Sequence, residues 1–344
     1  MDVGSSSSLS QAPSAPPATA GCWQFDRADA EAPLRGPVLA PLAELGVISV
    51  TGEDAARFLH GQLTNDVEHL GAGHLSLNGY CTAKGRLLAT FRVRRDEKAI
   101  LLLLPRELLP GVLKRLSMFV LRAKAKLVDA SEAWRVLALF GTGAEAKLRA
   151  LGCPAPAAAG DCAPFGSAQV ARLHGSARVR ERFLVLAAAA ERLAAGLAEL
   201  PAVASGAFWW SEIDAGVPTV FASTQEKFVP QMINFELVGG VSFSKGCYPG
   251  QEVVARSQYR GKLKRRMQLA HCAAAAPAGA DVFSAGDAEA TGTVVMAATA
   301  PDGGFDLLFE CPLEKAGTPL HLGAPGGPLL ELRALPYEML DVTA

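Results

Sequence analysis

Apolar residues change their spacing along this chain, and the changes mark out its elements. Residues 43–50 are an apolar run of strand length. From residue 53 to 70 the apolar positions are 55, 58, 59, 63, 67 and 70, which is helical spacing, and Glu53 and Asp54 occupy the first turn, where the helix dipole favours acids. Three strand-length runs follow at 74–81, 87–94 and 99–104, with turn sequences at 83–86 and 95–98. Residues 107–120 return to helical spacing, and 124–128 reads as a strand. This order predicts an antiparallel sheet with helices on one face.

A second unit begins at residue 134. The pattern gives a strand over 134–140, a short helix over 143–151 and a Pro/Ala/Gly-rich loop over 152–166. A hairpin follows, with strands 169–174 and 178–187 around Gly175-Ser176. Residues 188–200 and 205–215 read as helices, stopped by Pro201 and by Gly216 with Pro218. Beyond residue 260 come six short strand candidates, 264–272, 281–284, 291–298, 304–310, 319–322 and 329–335, separated by Gly, Pro and Asp. That pattern predicts a small all-β barrel or sandwich. The expected division is a tail over 1–22, α+β units over 23–130 and 131–261, and a β-barrel over 262–344.

Residues 1–21 are rich in Ser, Pro and Ala, a composition too polar to offset ordering entropy, so a disordered tail is expected there. The 344 residues suffice for two or three full-sized cores. No apolar run reaches membrane-span length, and no basic stretch leads into an apolar one at the start, so neither membrane nor secretion is expected. The formal net charge of −1 gives no global steering toward nucleic acid. Seven scattered cysteines show neither CxxC nor Cys/His ligand spacing, which argues against zinc and disulfides and suits a reducing cytoplasm.

The densest chemistry is Lys245-Gly246-Cys247-Tyr248-Pro249-Gly250-Gln251-Glu252. Pro249 suits a first helical position, which would put Cys247 at a helix start beside Lys245. Both positive charges favour a thiolate, so Cys247 is the candidate reactive cysteine. The alternative is a small buried hydrophobe in a Gly-containing turn, and local chemistry weighs the two equally.

Arg256, Arg260, Lys262, Lys264, Arg265 and Arg266 then place six positive charges in eleven residues without an acid. Such a run is a solvated linker or an anion contact. Phe208-Trp209-Trp210 would suit either a core or a flat heterocycle, with Glu212 and Asp214 on the same segment. The amides of Gln231 and Asn234 can read a ligand edge or satisfy their own loop.

The octapeptide, with Val254-Ala255-Arg256 and Tyr259-Arg260-Gly261, resembles the signature of the YgfZ family, folate-binding proteins similar to the glycine cleavage T-protein. Three further segments fit: residues 50–67 with Phe58-Leu59-His60-Gly61-Gln62, Cys81-Thr82-Ala83-Lys84-Gly85-Arg86, and 215–243 with Phe228-Val229-Pro230-Gln231. The resemblance implies an α+β fold of two intertwined antiparallel-sheet units sharing a folate-binding region, plus a small C-terminal β-barrel. It implies tetrahydrofolate as cofactor, and iron–sulfur assembly proteins or client enzymes as partners, with tRNA reached indirectly. Cys247 and Lys245 become the reactive pair. The candidate folate contacts become Phe208, Trp209, Glu212, Gln231, Asn234, Tyr248, Gln251, Glu252, Arg256 and Arg260.

Departures from the T-protein narrow the chemistry. The segment that carries its one-carbon-transfer acid reads Pro105-Arg106-Glu107-Leu108 here, and its Gly-Tyr-Thr-Gly-Glu segment is missing. Folate binding is therefore better supported than aminomethyl transfer, the rival reading. A third reading is a pure binding scaffold. A lone cysteine cannot hold an iron–sulfur cluster, which takes about four protein ligands.

Overall fold

Strand pairing sorts the chain into three sheets, in a computed structural model that describes residues 21–96, 98–190, 195–259 and 263–339. The first sheet has the order Leu75–Cys81, Leu87–Arg95, Ile100–Pro105, Leu45–Thr51, Lys126–Asp129, antiparallel throughout. Its central strand Ile100–Pro105 is buried at every position. The helix Leu109–Val120 buries Leu109, Val112 and Leu116, one stripe at helical spacing.

The second sheet runs Val38–Pro41, Trp134–Phe140, Arg182–Ala188, Ala168–Arg172, Cys162–Phe165, also antiparallel. Period two divides its side chains between two cores. Phe183 and Val185 join Leu148 and Leu197 on the outer face, while Leu184 and Leu186 enter the central core.

The third sheet is the C-terminal barrel, in the order Leu320–Leu322, Asp281–Ser284, Gly292–Thr299, Phe305–Pro312, Arg265–Cys272, Glu331–Arg333. All six strand candidates beyond residue 260 are present. The N-terminal strand Cys22–Trp23 adds in parallel to Gly292–Thr299. The chain thus enters through the third sheet, crosses the second at Val38–Pro41 and only then starts the first. The two α+β units are interleaved in sequence, and Cys22 belongs to a strand rather than to a tail.

The helix Ser205–Asp214 is buried from Gly206 to Asp214 on every side. Trp209 stacks on Trp23 with ring centroids 4.5 Å apart. Next to the helix, Asp306 of the barrel is a buried carboxylate at a junction. It accepts from Trp210 Nε1 at 2.9 Å and Arg333 Nη1 at 2.9 Å, pairs with His271 Nδ1 at 2.9 Å, and receives Arg178 from the second unit.

Some expected elements differ. The helix expected over 53–70 is Ala55–His60 only. Leu63 and Val67 are buried in a turn-rich segment instead, because Thr64 N–H donates to Gly79 at 2.9 Å and the Thr64 carbonyl accepts from Ser242 N–H at 3.0 Å. The loop expected over 152–166 contains the edge strand Cys162–Phe165. Of the helix expected over 188–200, Ala195–Ala198 is helical and residues 191–194 lie outside the described ones. Among the described residues no helix is long and apolar enough to cross a membrane.

Candidate functional site

The octapeptide is held by its lysine and its glycine. Lys245 is buried, and its Nζ donates to the Leu63 carbonyl at 2.7 Å and to the His60 carbonyl. The ammonium also lies 4.9 Å from the Tyr248 ring centre. Burial pulls the Lys245 amine down to about 8, with the charges of Asp66 and Cys247 opposing the fall. Burial likewise pushes the Tyr248 hydroxyl up.

The helix begins at Gln251, two residues later than Pro249 suggests. Gly250 takes a left-handed turn at φ +81°, and a Cβ there would stand 2.4 Å from the Thr82 carbonyl. Gly85 approaches from the other side: its Cβ would stand 2.9 Å from Val253. The helix Gln251–Tyr259 is therefore seated on the hairpin turn 82–85 by two glycines. Cys247 lies in the irregular segment before this turn, so its setting is not a helix N-terminus.

Cys247 is exposed, whereas five of the other six cysteines are buried and Cys162 is half-buried. An imidazole–carboxylate pair stands beside the preceding residue, Gly246. A side chain at Gly246 would come within 3.5 Å of His60 Nε2, so the His60 ring lies against the residue preceding the thiol. His60 Nδ1 is 3.0 Å from Asp66 Oδ1, and His69 Nδ1 is 2.9 Å from Asp66 Oδ2. Burial opposes ionisation of Asp66, yet hydrogen bonds from His69 and the charges of both histidines hold its carboxyl below the usual range. An exposed thiol with a proton acceptor oriented by a carboxylate nearby is an arrangement suited to a reactive cysteine.

A cavity of about 210 Å³ opens between the first two sheets. Leu75, Leu77 and Arg92 line it from the first sheet, Arg172 from the second with Gly160 and His174 from loops flanking it, and Glu212 from the buried helix. Both Glu212 oxygens are engaged, one by Arg92 and one by Arg182. Burial opposes the charge on Glu212, but the two guanidiniums keep its carboxyl low. Burial lowers His174, which favours the neutral ring. Arg92 lines the cavity, and behind that wall its Nε is buried without a partner among the described residues. Asn65 links the cavity rim to the cysteine region: its side chain donates to Leu77 at 2.9 Å and Gly239 at 2.7 Å, while neighbouring residues 60–66 hold Lys245.

Of the residues predicted from sequence, Glu212 lines this cavity. Phe208 and Trp209 are core, because their helix is covered on every face. Gln231 Nε2 donates to the Val254 carbonyl at 2.8 Å and fastens the motif helix. Asn234 takes a left-handed turn and its side chain pairs with the Met267 backbone at 3.0 and 3.3 Å. Tyr248 is buried under Lys245, Gln251 is half-buried, and Glu252 and Arg256 face solvent. Arg260 and Lys262 lie outside the described residues. The expected basic run loses two members to internal pairs. Arg265 is held by Glu310 at 2.6 and 2.8 Å, and buried Arg266 by Glu236. Lys264 is exposed.

Sequence reasoning did not single out His60, Asp66, Arg92, Arg172 or His174. A charge inside an apolar strand run was the available signal for Arg92, in Leu88-Ala89-Thr90-Phe91-Arg92-Val93. His60 and Asp66 lie in the 50–67 segment that carries the family resemblance, which was the signal available for them; Arg172 and His174 converge only through the fold.

This arrangement of sheets is that of a glycine cleavage aminomethyltransferase. The crystal structure of aminomethyltransferase T from Bartonella henselae superposes with a TM-score of 0.73, covering 92% of this chain and 90% of the other at 18% identity. Sequence narrows the kinship. The tRNA-modifying protein YgfZ of Colwellia psychrerythraea is 34% identical over 235 residues, 67% of this chain and 70% of that protein. That of Serratia proteamaculans is 31% identical over 312 residues, 88% of this chain and 93% of that protein. The chain belongs to the family of tRNA-modifying proteins YgfZ. No family model matches it.

Proposed function

We propose that this protein is a cytoplasmic tetrahydrofolate-binding factor that supports assembly or repair of iron–sulfur clusters and, through the enzymes that carry them, tRNA modification. The observation that supports this reading best is the pairing of an inter-sheet cavity with an exposed Cys247, joined by the 60–66 segment. The residues present suit the ring end of a folate. Arg92 brings a guanidinium to the wall, His174 can donate or accept, and Leu75 and Leu77 supply apolar contact. At about 210 Å³ the cavity is below the usual ligand-pocket range of about 300–1,000 Å³, so the benzoyl-glutamate tail would lie in its open mouth. A bound tetrahydrofolate would supply a one-carbon acceptor. The chain's own groups would orient its ring and keep the cavity wall polar where the ring is polar.

Glu107 favours a binder over a transferase. Its Oε1 accepts from Ala222 N–H at 2.7 Å at the surface, and it is not among the cavity-lining residues. Iron–sulfur assembly proteins or client enzymes are the partners this reading implies. Titration with tetrahydrofolate, followed by tryptophan fluorescence, tests the first half. Saturable binding, weakened in Arg92→Met, is expected, and no binding to the folded wild type would overturn it. Iron–sulfur enzyme activity in a deletion strain tests the second half. Rescue by wild type and not by Cys247→Ser is expected, and equal rescue by both would reduce Cys247 to a packing residue.

A further inference from the structure

The end of the helix Leu109–Val120 displays apolar side chains to solvent: Met118 is 66% exposed, Phe119 46% and Leu121 86%. The adjoining edge strand Lys126–Asp129 adds Val128 at 39%. Two features set Leu121 apart. It lies at φ 42°, ψ −102°, a positive-φ conformation outside the left-handed helical basin, where a leucine is strained and glycine fits without that cost. The loop that carries it is also pinned. Lys124 N–H donates to Asp54 Oδ2 at 2.8 Å, and Asp54 N–H donates back to the Lys124 carbonyl at 3.2 Å. A strained leucine is thus held outward on a braced loop, a combination that folding alone does not reward.

The segment that carries the patch is of one sign, with Glu53 and Asp54 bordering it at Lys124. From Leu108 to Val128 there are five Lys or Arg residues and no Asp or Glu. Lys124 pairs with Glu53 at 2.8 Å; Lys114, Arg115, Arg122 and Lys126 pair with no carboxylate among the described residues. The Arg115 guanidinium lies 6.0 Å from the Phe119 ring centre, so charge and apolar surface are interleaved. The strand Lys126–Asp129 pairs with Leu45–Thr51 and is the last in its sheet's order, so it ends the sheet as an edge.

We propose that this patch docks an acidic protein, with Leu121 as the central anchor in an apolar pocket of the partner and the cations matched to a carboxylate rim. Aliphatic side chains add little on a phosphate backbone or a base face, which disfavours nucleic acid. A braced loop with an edge strand suits a shaped protein surface better than a fluid one. The patch shares no residue with the cavity lining or the Cys247 segment, so the proposal stands apart from folate binding.

Leu121→Gly is the informative variant, because glycine accepts this backbone conformation and the chain should remain folded. A photocrosslinking phenylalanine at position 121, with one at Leu313 as the exposed control, identifies the neighbour in cells. The captured protein is then purified and its affinity measured at about 50 and about 300 mM salt. The expected result is one acidic protein captured at 121 and not at 313. Its binding should weaken roughly tenfold or more in Leu121→Gly and in Lys114→Glu/Arg122→Glu, and should fall with salt. Capture no different from the Leu313 control would overturn the proposal. So would a captured protein that binds the variants as well as the wild type. Phosphatidylcholine–phosphatidylglycerol vesicles and a tRNA transcript complete the set. Tight binding of either, lost in the same variants while the protein shows none, would reassign the patch.

Discussion

Cys247 stands in solvent while Tyr248, one residue on, is buried beneath an ammonium, and the contrast governs how the segment reacts. Burial pushes the thiols of Cys81 and Cys311 up to about 12, so neither should compete for an alkylating agent. Mass-spectrometric mapping after limited iodoacetamide treatment should find Cys247 modified first, with Cys81 and Cys311 reached only on unfolding. Early labelling of Cys81 would contradict the burial that sets its pKa. Lys245 makes a pH statement of its own. Its folded pKa of about 8 lies below the unfolded value of 10.5, so the folded state carries a penalty below pH 8 that disappears as pH rises toward 10.5. The stability of wild type relative to Lys245→Met should therefore grow by about 2–3 kcal/mol from pH 8 to 10.5. Urea midpoints measured in parallel across that window check this, and a constant difference would refute it.

At the scale of elements, glycines decide where the motif helix sits. Gly250→Ala puts a Cβ into the left-handed region and against the Thr82 carbonyl, and should cost about 1–3 kcal/mol or more. Unfolding of the variant at a wild-type midpoint would show that the turn and the helix are not coupled. Much of this level was legible in the sequence. The strands around residues 87–104 and the six barrel strands beyond residue 260 announce themselves by short apolar runs between turn residues. The helix expected over 53–70 is confined to Ala55–His60, because Leu63 and Val67 lie in a segment held by backbone bonds to distant strands. The octapeptide marked the cysteine, but the cavity is assembled from two sheets, a helix and a loop. Arg92 and His174, eighty-odd residues apart, meet at its wall with no local pattern to betray it.

Across the whole molecule, Asp306 ties the barrel to the second unit and to the buried helix through Arg178, Trp210, His271 and Arg333. Asp306→Asn keeps the shape and removes the charge that two guanidiniums share, and should cost about 3–5 kcal/mol in urea unfolding. A change under about 1 kcal/mol would assign the junction's strength to packing alone. The N-terminal strand has a different consequence, set by the direction of synthesis. Phe25 donates its backbone N–H to Thr299, 274 positions away, at 3.3 Å, and Cys22 pairs beside Ala297. On the ribosome the strand Cys22–Trp23 has no seat until its partner strand Gly292–Thr299 has left the tunnel. At roughly 5–20 residues per second that wait is on the order of tens of seconds, with Trp23 and its future stacking partner Trp209 both unburied for much of it. The nascent chain spends this interval as a substrate for whatever shields exposed tryptophans, so this fold closes only once Gly292–Thr299 has been made.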